Sequence, residues 1–426
     1  MSAFDKVIGY ETIKNELLQI CDMIHNQEVY TTLGAKMPQG VLLYGDPGLG
    51  KTLMAKCFIA ESGLKSYTVR KNKGSDDFVG EITDTFRKAK VDAPAIIFLD
   101  DMDKFANEDS NHRDAEEYVA VQSGIDDIKG AAVFVFATAN DIDKLPDSLK
   151  RSGRFDRKIE VCCPSSDDAV EIIKYYLKDK KVSADINLED IAMMINYSSC
   201  AELETILNEA AIRAAFLRKE YIAMEDLVGA VLRMEYEAPD TYAKPSTEDV
   251  YRVALHEAGH LVISEVMCPG SIGLVSLRTS GRDCTSGFTR RCKEVKFRPY
   301  HVLVPLGGKA AVELYHAENN DSGCQTDLYN AVKHIRGDIS DNGTCGLGML
   351  DLETRYSYKM SESFRARNEA VVYAELERYM CKAREILLRN TAFLEKAVDA
   401  LLKNETLLYS DIKMLRDSVT ITEVVV

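Results

Sequence analysis

His256-Glu257-Ala258-Gly259-His260 places two imidazoles four residues apart inside the apolar run Val253–Val266. Such a run reads as a buried helix, and positions i and i+4 share one helix face. Both rings can then reach one metal ion, while Glu257, next to the first, can take a proton from a metal-held water. This is the donor chemistry of a hydrolytic zinc centre. Catalytic zinc takes three protein ligands and keeps one position open, so a third donor must come from elsewhere. The extended metzincin pattern is excluded, because Ile263 and Val266 stand where it needs Gly and His. Later in the chain, Glu313, His316, Asp321, Asp327 and His334 are the candidates.

A second chemistry lies about two hundred residues upstream. Gly45-Asp46-Pro47-Gly48-Leu49-Gly50-Lys51-Thr52 fits G-x-x-x-x-G-K-[ST] between an expected strand and an expected helix. The glycines let backbone N–H groups wrap phosphates at a helix N-terminus. Lys51 would reach the β- and γ-phosphates of ATP, and Thr52 would hold Mg²⁺. The apolar segment Ile96–Leu99 ends in Asp100-Asp101. There Asp100 would orient Mg²⁺ through water and Asp101 would position the attacking water.

These groups need a scaffold. Five short apolar segments, Val41–Tyr44, Ser66–Val69, Ala95–Asp100, Ala131–Ala137 and Lys158–Cys162, alternate with helical stretches such as Leu53–Glu61. Apolar strands of this kind are expected to be covered on both faces, which predicts a mostly parallel sheet between helices. From about Ser165 to Ala238 the pattern becomes purely helical, with Ser165 and Asp168 marking a helix start. Pro239–Ser246 reads as a linker, and the rest is expected to be mainly helical, ending in Glu362–Leu388 and Thr391–Lys403. The length, 426 residues, suits roughly three domains. A net charge of −15 disfavours nucleic acid or an anionic membrane as a general partner. The eleven cysteines are scattered without C-x-x-C, as free thiols in a reducing compartment would be. Ala131–Ala139, the longest apolar run, falls well short of the ~18–20 residues a membrane helix needs.

From about Phe4 to the last helices, the chain resembles the FtsH-type AAA proteases, in which an AAA ATPase module is fused to a zinc metalloprotease domain. The resemblance implies an α/β AAA+ core, a P-loop NTPase with a parallel sheet, over 1–162. A helical lid over 163–238, a linker over 239–248 and a mainly α-helical M41-like metalloprotease domain over 249–426 follow. It implies ATP, Mg²⁺ and Zn²⁺ as cofactors, protein substrates, and a homo-oligomer, a hexameric ring that unfolds substrates and threads them into a chamber. Asn140, in Ala137-Thr138-Ala139-Asn140, matches the family's γ-phosphate sensor. Arg154 and Arg157, in Gly153-Arg154-Phe155-Asp156-Arg157, match its arginine fingers, which reach the neighbouring subunit's ATP. Phe78-Val79-Gly80 matches its substrate-gripping pore loop.

Ser322-Gly323-Cys324-Gln325-Thr326-Asp327-Leu328 is similar to the family segment whose aspartate is the third zinc ligand, which favours Asp327. Glu313 matches a family helix and can hydrogen-bond a ligating histidine; a salt bridge is the plainer reading. Three departures stand out: Asp101 where the family usually has glutamate, Ala106–Asn111 without the glycines of the second pore loop, and Asp126-Asp127-Ile128 for the inter-subunit Asp-Gly-Phe. Two other functions stand beside this one: a remodelling ATPase with an inactive protease, against which the intact His256, Glu257, His260 and Asp327 speak, and a nucleotide-gated scaffold with slow hydrolysis, which Asp101 and the altered inter-subunit segment suggest. Family members usually carry membrane helices ahead of the ATPase domain, whereas Phe4–Gly9 already matches its start. The expected location is cytoplasmic; the alternative is the cytosolic portion of a membrane-anchored protease.

Overall fold

The computed structural model describes residues 2–71, 77–106, 115–195, 198–238, 247–279, 286–316, 322–350 and 360–425. Residues 239–246, expected to be a linker, most of the 106–111 segment and Asp321 lie outside them. By internal contacts the chain divides into two compact units, residues 1–179 with 197–207, and residues 180–196 with 208–426.

The first unit opens with helices α1 (Glu11–His25) and α2 (Gln27–Thr32). Strands β1 (Gly40–Tyr44), β2 (Lys65–Val69), β3 (Ala95–Leu99), β4 (Val133–Ala139) and β5 (Arg157–Glu160) follow. They form one parallel sheet in the order β2-β3-β4-β1-β5. Parallel neighbours need crossovers, supplied by α3 (Lys51–Ser62), α4 (Phe78–Val91), α5 (Ala115–Asp127) and the short α6 (Asp147–Lys150). Alternation along β1 sends Leu42 into one apolar cluster, with Ile97, Val135 and Phe86, and Val41 and Leu43 into the other, with Phe58, Phe98 and Phe134. Both faces of the central strands are therefore buried.

The expectation of five strands covered on both faces holds for the three central ones only. The strands β2 and β5, at the edges of the sheet among the described residues, expose most of their residues. α7 (Ser166–Leu177) starts where expected, with Ser165 Oγ accepting from the Asp168 N–H at 3.2 Å.

The second unit begins at α8 (Leu188–Met194); α9 (Cys200–Phe216) contributes residues to both units, and α10 (Met224–Tyr236) follows in the second. Its centre is α11 (Thr247–Met267) against α12 (Arg298–Tyr315), with α13 (Gln325–Asn342), α14 (Glu362–Arg389), α15 (Thr391–Asn404) and α16 (Tyr409–Asp417) around them. Leu261, Val262, Leu303, Leu306, Ile386 and Leu394 belong to their common core. The region is mainly helical as expected, and α14 and α15 fall within a residue of the predicted spans. It also carries a three-stranded antiparallel sheet beyond the helical expectation, β6 (Ile272–Thr279), β7 (Ser286–Arg291) and β8 (Thr406–Leu408), ordered β7-β6-β8. Among the described residues no helix is long and apolar enough to cross a membrane.

Candidate functional site

In the second unit, α11 carries His256, Glu257 and His260 on one face, and the first turn of α13 brings Asp327 to it. His256 Nε2 lies 3.0 Å from His260 Nε2 and 3.1 Å from Asp327 Oδ2, and His260 Nε2 lies 3.4 Å from the same oxygen. Three donor atoms held this close converge on one point. Ligands at zinc's usual 2.0–2.1 Å in a tetrahedron are about 3.3 Å apart, so the triangle fits zinc. Among the described residues this is the group of His, Cys, Asp and Glu spaced to hold a metal.

The surroundings fix the ligands. His260 Nδ1 is 2.7 Å from the Val304 carbonyl of α12, so this nitrogen keeps a proton and Nε2 is the one that a metal would bind by displacing its proton. Burial alone would raise the Asp327 carboxyl, yet the two imidazoles hold it well below the usual range. Burial would lower His260, and Asp327 outweighs it and raises the ring to about 9. Glu257 is 4% exposed. Burial pushes its carboxyl up, against the two histidines and a hydrogen bond from Thr289 Oγ1 to Oε2 at 2.7 Å.

Close approach of α11 and α12 makes the site possible, and glycine permits it. A Cβ on Gly259 would stand 2.3 Å from the Gly307 carbonyl oxygen, and one on Gly308 would stand 2.5 Å from the His256 ring. Gly259→Ala forces two helix backbones apart in a packed core. It is expected to destabilise the protein by about 1–3 kcal/mol, as overpacking does. A lower denaturant midpoint measures this; an unchanged midpoint contradicts it.

The other candidate ligands lie elsewhere. Glu313 accepts from Arg384 at 2.6 Å and pairs with Lys309 at 2.9 Å, so the salt-bridge reading is the one realised. His316 sits edge-on to Tyr251, and His334 stacks on His301 with ring centroids 5.3 Å apart.

In the first unit the P-loop runs from the end of β1 into α3. Gly45, at φ 141°, leaves no room for a side chain, since its Cβ would lie 2.1 Å from the Val161 carbonyl oxygen. Gly50 caps α3 in the left-handed region. Lys51 Nζ donates to the Gly45 and Asp46 carbonyls, both at 2.7 Å, and so curls over the loop that would receive phosphates. Burial holds this ammonium below the usual lysine range, against the pull of Asp101, Asp103, Asp46 and Asp100. Asp100, buried at the end of β3, accepts from Thr52 Oγ1 at 3.0 Å and Thr138 Oγ1 at 2.9 Å. Thr52 and Asp100 thus meet where a P-loop site needs its cation, and two hard oxygens suit Mg²⁺.

Asp101 occupies the left-handed region at φ 54°, its N–H donating to Thr138 Oγ1 at 3.0 Å. Its Oδ2 takes Lys104 Nζ at 2.7 Å, with Arg70 at 3.6 Å. Asn140 follows β4, the neighbour of both β1 and β3, and its N–H donates to Asp103 Oδ1 at 3.0 Å. Pro47, Gly48 and Leu49 complete the loop, with Leu49 buried in the core.

Two expected groups lie apart from this cluster. Arg154 forks onto Asp126, at 3.3 Å and 2.7 Å, and also donates to the Ser148 carbonyl. This arginine pulls Asp126 down to about 2. Arg157 begins β5 opposite Val41, its side chain 53% exposed and 3.8 Å from Glu16. That register sets its backbone four strand residues, roughly 13 Å, from its own P-loop. Phe78, the aromatic of the expected pore loop, opens α4. Its ring is 5% exposed and sits edge-on to Phe105 with centroids 5.3 Å apart, so this Phe fills the core beneath the first turn of α4. Val79 and Gly80 are half-buried on the same turn, where Asp77 Oδ1 accepts from the Gly80 N–H at 2.9 Å.

Val304, Gly287 and Thr289 were not singled out from sequence. The last two sit on β7, whose strand pattern is hidden by charge at Arg290 and Arg291.

Residues 41–163 match the ATPase family associated with various cellular activities (AAA), and residues 244–415 match peptidase family M41. Proteins named ATP-dependent zinc metalloprotease FtsH align along almost the whole chain. The one from Leptotrichia buccalis is 32% identical over 97% of this chain and 56% of its own length. That from Ureaplasma parvum is 30% identical over 95% and 59%, and that from Caldicellulosiruptor bescii 30% over 97% and 71%. The chain thus spans little more than half the length of the first two. With a phosphate loop in one unit, a His-His-Asp triangle in the other and relatives named ATP-dependent zinc metalloprotease FtsH along almost its whole length, this chain belongs to the FtsH family.

Proposed function

We propose that this chain is an ATP-dependent zinc endopeptidase that unfolds protein substrates and threads them into a proteolytic chamber. The observation that carries the reading is the donor triangle of His256, His260 and Asp327, spaced 3.0 to 3.4 Å, with the Glu257 carboxyl buried beside it. When bound, zinc acidifies water and polarises the scissile carbonyl. Glu257 takes the water proton on a carboxylate oxygen and passes it to the leaving amine. The Val304 carbonyl keeps His260 in the tautomer that ligates.

For the nucleotide, the loop Gly45–Gly50 cradles the phosphates and Lys51 exchanges its two carbonyl partners for them. Thr52 and Asp100 hold Mg²⁺, Asp101 positions the attacking water and Asn140 senses the γ-phosphate. The β5 register supports a role for Arg157 on a neighbouring subunit's ATP, because its own lies too far away. Arg154 joins it by leaving Asp126. Fingers acting in trans require a homo-oligomer, and a hexamer follows the family reading. The same reading takes 1–162 as the nucleotide-binding domain, 163–238 as its lid, 239–248 as the linker and 249–426 as the protease. A cytoplasmic location is proposed on the scattered free cysteines, with the cytosolic portion of a membrane-anchored protease as the alternative.

Elemental analysis of the sized, ATP-bound assembly tests the reading. One zinc per subunit in a hexamer, with casein cleavage lost to a chelator, is the expected result. Casein cleavage indifferent to the chelator overturns it.

Asp101 favours a second reading, a nucleotide-gated scaffold. Aspartate is one methylene shorter than the family's usual glutamate, and Lys104 already engages its carboxylate. A misplacement of about 1 Å can cost around a hundredfold. Asp101→Glu is therefore expected to raise steady-state phosphate release about 10- to 100-fold. Equal turnover in the two proteins contradicts this account of Asp101. Release by the parent no higher than by Lys51→Ala establishes the scaffold.

A further inference from the structure

The alternation of β7 sets two residues against Glu257 and two against α10. Thr289 Oγ1 donates to Glu257 Oε2 at 2.7 Å. Gly287, in the left-handed region at φ 85°, leaves the space beside the other oxygen, since a Cβ there would stand 2.8 Å from Oε1. The intervening residues point the other way. Phe288 stacks on Tyr236 with centroids 3.8 Å apart and planes 12° apart, and Arg290 donates to Glu235 Oε2 at 2.9 Å. Both partners lie in the last turn of α10. Among the described residues β7 pairs with β6 on one edge only, so these two contacts help to hold its register.

We propose that Thr289 is a positioning residue for Glu257. Its hydroxyl fixes the carboxylate by Oε2 and leaves Oε1, in the space kept by Gly287, as the oxygen that meets the water. A glutamate side chain has three torsions, and one grip at Oε2 stops rotation about the last of them. The inference rests on Glu257 acting as the base, and the test separates the two. Thr289→Val keeps the shape and removes the donor; Thr289→Ser keeps the donor.

Cleavage of a short fluorogenic peptide is measured for both, with zinc content and the affinity of a peptide hydroxamate, whose N–OH proton a base accepts. Thr289→Val is expected to lower kcat about 10- to 100-fold, the range a small misplacement of a reacting group produces. KM and zinc content stay at parental values, hydroxamate affinity falls in step with kcat, and Thr289→Ser restores most of both. Parental kcat in Thr289→Val overturns the proposal, as does a Thr289→Ser protein no better than Thr289→Val, or a fall in kcat matched by loss of zinc. Glu257→Gln in the same assay reports on the base itself: if it stays active, the reading of Glu257 fails whatever Thr289 does.

Discussion

Glu257→Gln is expected to lower peptide cleavage about 10²- to 10⁴-fold, the usual contribution of a general base, while zinc stays bound. Glutamine has the size of glutamate and its carbonyl oxygen can still accept from Thr289, so the packing around a side chain only 4% exposed is kept. What is lost is the oxygen that takes a proton. The ligand set is untouched, because His256, His260 and Asp327 form the triangle without Glu257. Initial rates on a short fluorogenic peptide, with zinc measured on the same sample, check the result. A Glu257→Gln protein that cleaves at the parental rate removes Glu257 from the chemistry. One that loses its zinc shows the residue to be structural instead.

The second large effect is expected from Lys51→Ala. A phosphate-clamping cation of this kind contributes about 10²–10³ to turnover, so ATP hydrolysis should fall by at least about 10²-fold. Degradation of a folded protein should fall with it, since pulling a domain apart needs the work of ATP. Cleavage of a peptide too short to need unfolding should persist, because the zinc centre is built wholly from α11, α12, α13 and β7. This split between substrates is the signature of two chemistries in one chain. Equal loss on both substrates would mean that the protease depends on the nucleotide unit for its own structure.

Motif residues were legible in the sequence because their chemistry imposes spacing. Two histidines at i and i+4 have no alternative to one helix face, and G-x-x-x-x-G-K-T between strand and helix has few structural uses other than phosphate binding. The parallel sheet was legible because strands buried on both faces are apolar throughout, as Ala95–Leu99 and Val133–Ala139 are. Asp327 needed the family resemblance, since distance along the chain says nothing of distance in space. The triangle closes only when α13 meets α11, seventy-one residues after His256.

Phe78 shows the opposite situation. A short aromatic motif fits both a grip and a core, and nothing local in the sequence announces that Phe78 packs against Phe105 within the chain. β7 escaped because Arg290 looks like a surface residue until Glu235 and Tyr236 are seen to receive it. The glycines at 259, 307 and 308 carry the same lesson. Their role is a close helix approach, a tertiary property with no local signature.

The central claim is that ATP hydrolysis in one unit drives proteolysis at zinc in the other. It is tested most directly by following a folded, fluorescent protein substrate with the size-selected assembly under three conditions: ATP, a non-hydrolysable analogue, and ATP with a zinc chelator. Loss of fluorescence accompanied by peptide fragments in ATP alone, with intact substrate recovered under the other two, is the predicted result. Fragments produced at the same rate with the analogue, or with the chelator present, would contradict it.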